Sequence, residues 1–595
     1  MKNTEKTAVS KKHSFNLGKY KNEYISLAAI TAAVTVLLVY VLQLWNMDIN
    51  VPISYAGGDD FSLLTNAKTM TEQAWNLTAD RLGTPYVASY YDFTSSVMHN
   101  FDLLTLKIFA MITRDAGSAM NLEYFSVFYL CAFISYFVMH ELKIRNVISV
   151  CGSVVFAFSS YILMRGTGHF VLTTCYFLPL SVLLCIWVYE RDDVFVFNKD
   201  FFKNKRNWVA ILSIILIANN GIVYYPFFTC YMLGVTAVSK LIKTGKLRYV
   251  GKAFSMIAGI CVFIGIALLP VLMHILTSGG NSSAIVRGGV QESEMYGLKL
   301  VQLFLPVNSH GITPIQNLIS AYNDNSMFVN ENITSYIGLM GTLGFIILIA
   351  FVFVRKRSAF CERMAFLAEL NLGLILLGTV GGFGAIVSLV ITDKIRGYNR
   401  ISILIGYVCI LGCCLAVNEF YTYYHKKLKK WFLPVFCVFS LFVVWEQNPA
   451  GYTPAYDANY AAYMIDDEFV KDIENSVDEG AYIYQLPYHE YPEGGPVNDM
   501  QDYHLYTGYI HSDTLNWSYG SMKGSDYDDW NKNVSEMDYP EMVTYLKENG
   551  FSGIYIDRRA YTEDEINELE ATMTQLTGSE RMISRNDHLS FFKFN

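Results

Sequence analysis

Two adjacent carboxylates, Asp59 and Asp60, follow a glycine pair in the run Tyr55-Ala56-Gly57-Gly58-Asp59-Asp60-Phe61. A carboxylate can take the proton of an attacking hydroxyl, which is general-base chemistry. Two side by side either raise one pKa or hold a divalent metal such as Mg or Mn. The sequence leaves that choice open, as it does which of the two would be the base. The competing reading is a solvated turn, because Gly-Gly-Asp-Asp is good turn chemistry. Other polar stretches carry groups suited to steadying a phosphate or a developing negative charge. They are His169 in Arg165-Gly166-Thr167-Gly168-His169-Phe170, then Arg287, and Arg396 and Arg400 in Asp393-Lys394-Ile395-Arg396-Gly397-Tyr398-Asn399-Arg400. Asp92, Glu292 and Glu294 add polar contacts in the same loops. Each has an ordinary alternative: the arginines can snorkel to lipid headgroups, and His169 can be an interfacial hydrogen-bonder.

These groups need elements to bring them together, and the composition says what kind. Of 595 residues, 52% are hydrophobic and only 16% charged. Soluble domains run nearer ~25% charged, so this is an integral membrane protein with a soluble part. From Pro449 onward there are 28 acidic and 9 basic residues, a balance of −19 against an overall −8. A basic membrane body with an acidic appendage argues against a nucleic-acid partner. All 11 cysteines lie between Cys131 and Cys437, none in a CxxC pair. No zinc or redox site is expected, and a cysteine-free exterior region suits a bacterial surface.

Residues 1–22 read as a cytoplasmic tail, and 23–45 as a first membrane span rather than a cleaved signal. Further spans are expected near 121–142, 147–164, 169–189, 208–220, 222–240, 253–275, 333–354, 364–381, 401–419 and 431–447, eleven in all. With the N-terminus inside, the inner segments hold 26 Lys and Arg and the outer loops of the membrane body ten, as the positive-inside rule requires. The outer loop 46–120 then carries the acid pair. Within it, apolar residues at helical spacing from Met98 to Ile112 predict a helix, either interfacial or lying over the loop. Asp59 and Asp60 in this loop, and Arg or His in three others, can converge on one outward-facing cavity.

Residues 448–595 are expected outside as a small α/β domain. Strands are predicted at 481–487, 553–557 and 589–594, and helices at 540–547 and 562–576, the second opened by a capping box at Thr562-Glu563-Asp564-Glu565. The loop 515–524 is aromatic and glycine-rich, and Trp517 is the expected face for stacking on a sugar ring, with a membrane-interface anchor as the alternative.

An acidic pair after the first span, a helix in that loop, eleven spans and an exterior C-terminal domain resemble the GT-C glycosyltransferase superfamily. The run Phe158-Ser159-Ser160-Tyr161 to Phe170, Phe177-Leu178-Pro179-Leu180, and Arg81 to Tyr86 with Asp92-Phe93 resemble the YfhO-like bacterial membrane proteins. The resemblance implies a polytopic α-helical fold over residues 23–447 in the bacterial plasma membrane. It also implies transfer of a sugar from a polyprenyl-phosphate-linked donor to a cell-envelope glycan or teichoic-acid acceptor, with Asp59 or Asp60 matching the first-loop acidic motif. A lipid-linked sugar or polysaccharide transporter, or flippase, without covalent chemistry is the alternative, suited by broken apolar segments such as 208–220.

Overall fold

The computed structural model describes residues 21–595 except 94–96, 282, 285–288, 309, 355–357, 425–426, 428–429 and 449–453. A helix coincides with every apolar segment expected from the sequence. Among the described residues six helices are long and apolar enough to cross a membrane: Lys21–Val41, Ala116–Glu141, Asn146–Arg165, Tyr224–Thr244, Arg248–Ala267 and Tyr398–Tyr424. Four shorter apolar helices join them, Leu178–Glu190, Leu269–Ser278, Gly338–Val352 and Phe432–Gln447. The protein is therefore a multi-pass membrane protein.

Several apolar segments are interrupted helices. The segment expected at 169–189 begins as one turn, Phe170–Thr173, and resumes only at Leu178, where Pro179 occupies the first turn. The helix Lys205–Ala218 stops at the Asn219-Asn220-Gly221 break. Gly221 there has φ +68 and packs under Tyr225, where a Cβ would stand 1.9 Å from the ring. The loop helix forms as Asn100–Thr113. It buries Leu103, Leu106 and Ala110 while Leu104, Ile108, Met111 and Ile112 stay exposed. An apolar face left open on that scale suits a helix lying in a membrane interface.

The C-terminal region builds a five-stranded sheet from β3 Tyr482–Leu486, β4 Asn516–Trp517, β5 Phe551–Asp557, β6 Met582–Ile583 and β7 Leu589–Lys593. Its order is β4-β3-β5-β7-β6, with β3 parallel to β4 and β5, and β7 antiparallel to β5 and β6. Two further short strands, β1 Thr78–Ala79 and β2 Ala88–Ser89, pair within the first loop. Successive side chains of a strand face opposite ways, and the sheet uses this to build two cores. Tyr484, Leu486, Ile554, Ile556 and Phe592 face helices Tyr539–Glu548 and Glu563–Thr577. Ile483, Tyr555, Leu589 and Phe591 face the other way, into a cluster with Tyr55, Phe61, Leu64 and Met70 of the first loop. The expected capping box at Thr562 and Glu565 is present. The helix Tyr456–Ser476, which the strand and helix expectations left out, leads from the last apolar helix into this sheet.

The first loop is therefore half of a shared core rather than a free excursion. Gly58 N–H donates to the Asp502 carbonyl at 2.8 Å, and the Tyr55 hydroxyl bonds Asp466 at 2.9 Å and His511 at 2.8 Å. Arg81 donates to the Leu515 and Ser512 carbonyls, both at 2.8 Å.

Candidate active site

The acid pair opens helix Asp59–Glu72, with Gly58 at φ +60 as its N-cap. Carboxylates in a first turn complement the helix dipole, but Asp60 is buried, so the pair is a helix start rather than a solvated turn. The glycine before it is forced by packing. Gly57 sits at φ +86, and a Cβ there would lie 2.3 Å from His504 Nε2.

The two acids differ in their surroundings. Asp60 is buried, and the Ser54 hydroxyl donates to its Oδ2 at 2.6 Å. Burial raises its pKa, while hydrogen bonds from Ser54 and Thr167 oppose the rise. Asp59 keeps solvent-accessible surface, yet protein crowds round its carboxyl. That crowding, together with the negative charges of Asp60, Glu493 and Asp502, pushes its carboxyl up to about 6 against the pull of Arg400.

The cationic side is built from three separate stretches of chain, around Arg165 to His169, Glu331 and Arg400. Arg165 ends its helix, which Gly166 at φ +51 terminates. Its Nη1 lies 2.9 Å from Glu331 Oε2. Arg400 grips the same carboxylate with two nitrogens, Nη2 at 3.0 Å and Nε at 3.2 Å. Tyrosine rings support both guanidiniums, Tyr161 beneath Arg165 at 5.2 Å and Tyr224 beneath Arg400 at 4.4 Å. Burial works against ionising Glu331, but Arg400 and Arg165 outweigh it and hold its carboxyl well below the usual range. His169 Nε2 stands 4.0 Å from Glu331. Burial, and then the charge of Arg165, lowers its pKa to about 4. At neutral pH it is a hydrogen-bonding imidazole, not a cation. Gly168 closes the circle, with its ideal Cβ position 3.8 Å from Asp60 Oδ1. Two guanidiniums sharing one carboxylate leave a net positive charge facing the acid pair, the field an anionic leaving group needs.

Of the residues singled out in the sequence, Asp59, Asp60, His169 and Arg400 come together here. Asp92 instead faces His274, 3.6 Å away. Arg396 pairs with Glu292 at 3.2 Å and covers the Tyr296 ring, while Glu294 accepts from Gly381 N–H at 2.9 Å. Arg287 lies outside the described residues. Trp517 requires a correction: it is 0% exposed on β4, packed edge-on to Tyr555 and against Gly508, so its ring has no free face for a sugar. β-Strand alternation turned it inward, which an aromatic-rich loop reading could not show.

Arg165, Glu331, Ser54, Thr167, Glu493 and Asp502 were missed as site members. A charged residue directly before the Gly166-Thr167-Gly168 turn was the one available signal, for Arg165. Among the described residues no group of three or more His, Cys, Asp or Glu is arranged to hold a metal ion.

Two solved structures share this architecture over nearly the whole length. ArnT from Cupriavidus metallidurans in the apo state aligns with TM-score 0.52 and 11% identity, over 97% of this chain and 98% of that one. The same protein bound to undecaprenyl phosphate aligns with TM-score 0.51 and 11% identity, over 96% and 98%. At that identity the likeness shows the fold, the GT-C-like helical body with a C-terminal α/β region. No curated protein matches the sequence. Residues 103–419 match the family described as "Domain of unknown function (DUF6311)", and the chain belongs to that family.

Proposed function

We propose that this protein transfers a sugar from a polyprenyl-phosphate-linked donor to a cell-envelope glycan acceptor, with inversion, at the outer face of a bacterial plasma membrane. The carrying observation is one accessible carboxylate raised to about 6, Asp59, opposite two guanidiniums held by Glu331. Asp59 takes the proton of the acceptor hydroxyl as its oxygen bonds to the anomeric carbon. The bond from that carbon to the phosphate oxygen breaks, and the phosphate leaves with the electron pair. Arg165 and Arg400 steady the departing charge, and neutral His169 donates a hydrogen bond to it. A polyprenyl phosphate is already a good leaving group, so no general acid is required. Asp60 acts as the like-charged neighbour that raises Asp59.

Support for the donor lipid comes from the similar ArnT fold, solved with undecaprenyl phosphate bound. The narrower YfhO-like placement, with a teichoic-acid acceptor, rests on the short motifs around Arg81 to Phe93 and Phe158 to Leu180. The outward orientation of the acid pair and of residues 448–595 rests on the asymmetry of 26 against ten basic residues. A reporter fused after Asn595 tests it, and cytoplasmic activity there refutes it. The interrupted helices favour one second reading, movement of a lipid-linked sugar without bond cleavage. Purified protein with a radiolabelled lipid-linked sugar and a mixed envelope-glycan acceptor separates the two. Label transferred to acceptor supports the proposal, and label only moved across vesicles refutes it.

A further inference from the structure

A cavity of about 610 Å³ opens between the outer end of the first span and the start of helix Tyr456–Ser476. Its size is in the range of small-ligand sites, ~300–1,000 Å³. It is preformed: the Tyr456 hydroxyl donates to the Leu42 carbonyl at 2.6 Å, and Asn459 Nδ2 to the Ile53 carbonyl at 2.8 Å, so both walls are tied together. Trp45 and Tyr460, 62% and 46% exposed, present aromatic surface to it. Asn46, Asp48 and Asp457 supply amide and carboxylate groups, and none of its lining residues is basic.

Aromatic faces flanked by amides and carboxylates match the two sides of a sugar ring, apolar C–H faces and equatorial hydroxyls. Two carboxylates without a cation repel phosphate and favour neutral or amino-bearing rings. The cavity also adjoins the acid pair. Pro52 lines it, and Ser54, two residues on, donates to Asp60 at 2.6 Å; two residues span at most ~7 Å.

We infer that this cavity is the acceptor-glycan subsite, taking uncharged or amino sugars and turning away phosphate-bearing polymers. The inference rests on the proposed transfer reaction and narrows its acceptor, setting the phosphate-rich teichoic-acid reading aside. It also moves the aromatic sugar platform from buried Trp517 to Trp45 and Tyr460.

The test is direct binding, independent of turnover. Full-length protein in phosphatidylcholine nanodiscs is titrated calorimetrically with a neutral glucan oligomer, a chitosan oligomer and a glycerol-phosphate oligomer. The neutral and amino oligomers should bind saturably and the anionic one at least fivefold more weakly, the size of a close charge contact in water. Trp45→Ala and Tyr460→Ala should each weaken binding about tenfold, and Asp457→Asn should improve the anionic oligomer. Thermal stabilisation by undecaprenyl phosphate, measured on the same samples, shows that the variants are folded. Binding unchanged in both aromatic variants, or tightest to the anionic oligomer, overturns the subsite. Saturable, Trp45-dependent sugar binding without any sugar transfer leaves the subsite standing and overturns the reaction instead.

Discussion

Asp59→Asn separates chemistry from local structure, because the two readings predict opposite balances of activity and stability. The substitution keeps shape and hydrogen bonding but removes basicity. A lost general base should lower turnover ~10²–10⁴-fold, or ~3–5 kcal/mol of barrier. For stability the sign runs the other way. A carboxyl raised from 3.8 to about 6 favours the folded state while protonated, and that contribution is lost as pH rises through about 6. The full shift corresponds to about 3 kcal/mol, but Asp59 is exposed, and solvent screening cuts this to ~1 kcal/mol or less. Removing a first-turn charge costs ~0.3–1 kcal/mol of helix-dipole stabilisation. The variant should therefore be as stable as the parent at pH 7, or up to about 1 kcal/mol more stable, with no gain below pH 4. The assays are transfer from purified lipid-linked sugar and thermal unfolding from pH 4 to 8. Near-normal turnover with a clear loss of stability at pH 7 would refute the base and return the pair to helix capping.

Four further substitutions test the frame around it. Gly57→Ala should cost about 1–3 kcal/mol and displace the acid pair, because φ is +86 and the new Cβ meets His504 Nε2. Gly58→Ala has open space and should cost less in thermal unfolding. Glu331→Gln leaves two guanidiniums facing each other and should cost ~3 kcal/mol of stability. The parent's depressed carboxyl contributes above about 4.5 and loses that contribution as pH falls below it, a slope the variant should lack. Trp517→Ala empties a fully buried site and should cost ~3–5 kcal/mol, read as a lower melting temperature rather than a selective loss of acceptor use.

The parts of this molecule governed by local pattern were readable in the chain. Apolar length located the helices, short apolar runs such as 553–557 located buried strands, and Thr562-Glu563-Asp564-Glu565 located a helix start. The site was legible only in outline, because it is assembled across sequence distances of hundreds of residues. Arg396 and Arg400 look alike in sequence, four positions apart. In the fold one turns to Glu292 and the other to Glu331. Trp517 fails for a related reason. Two residues of strand are too short for a periodic signal, so nothing in the sequence says which way the indole points. The docking of Gly57 and Gly58 on residues 502–504 was beyond reach as well, since glycine marks a turn without naming what approaches it.

Neighbours from two parts of the fold pull the base in opposite directions, and that has a kinetic consequence. Glu493 and Asp502, from the C-terminal region, raise Asp59, whereas Arg400, from the helical body, lowers it. An anionic donor phosphate seated on Arg165 and Arg400 would cancel the lowering charge and add a negative one of its own. Both changes move the pKa of Asp59 upward. The base is then strongest when the donor is in place and weaker in the empty enzyme. The profile of kcat/KM for the donor reports the free enzyme and should inflect near pH 6, while kcat reports the complex and should inflect higher. In both, the rate falls tenfold per pH unit on the acid side, because only the ionised carboxylate accepts the proton. Coincident inflections, or one lower in kcat, would show that the phosphate does not sit against Arg400 and that the charge bearing on Asp59 lies elsewhere.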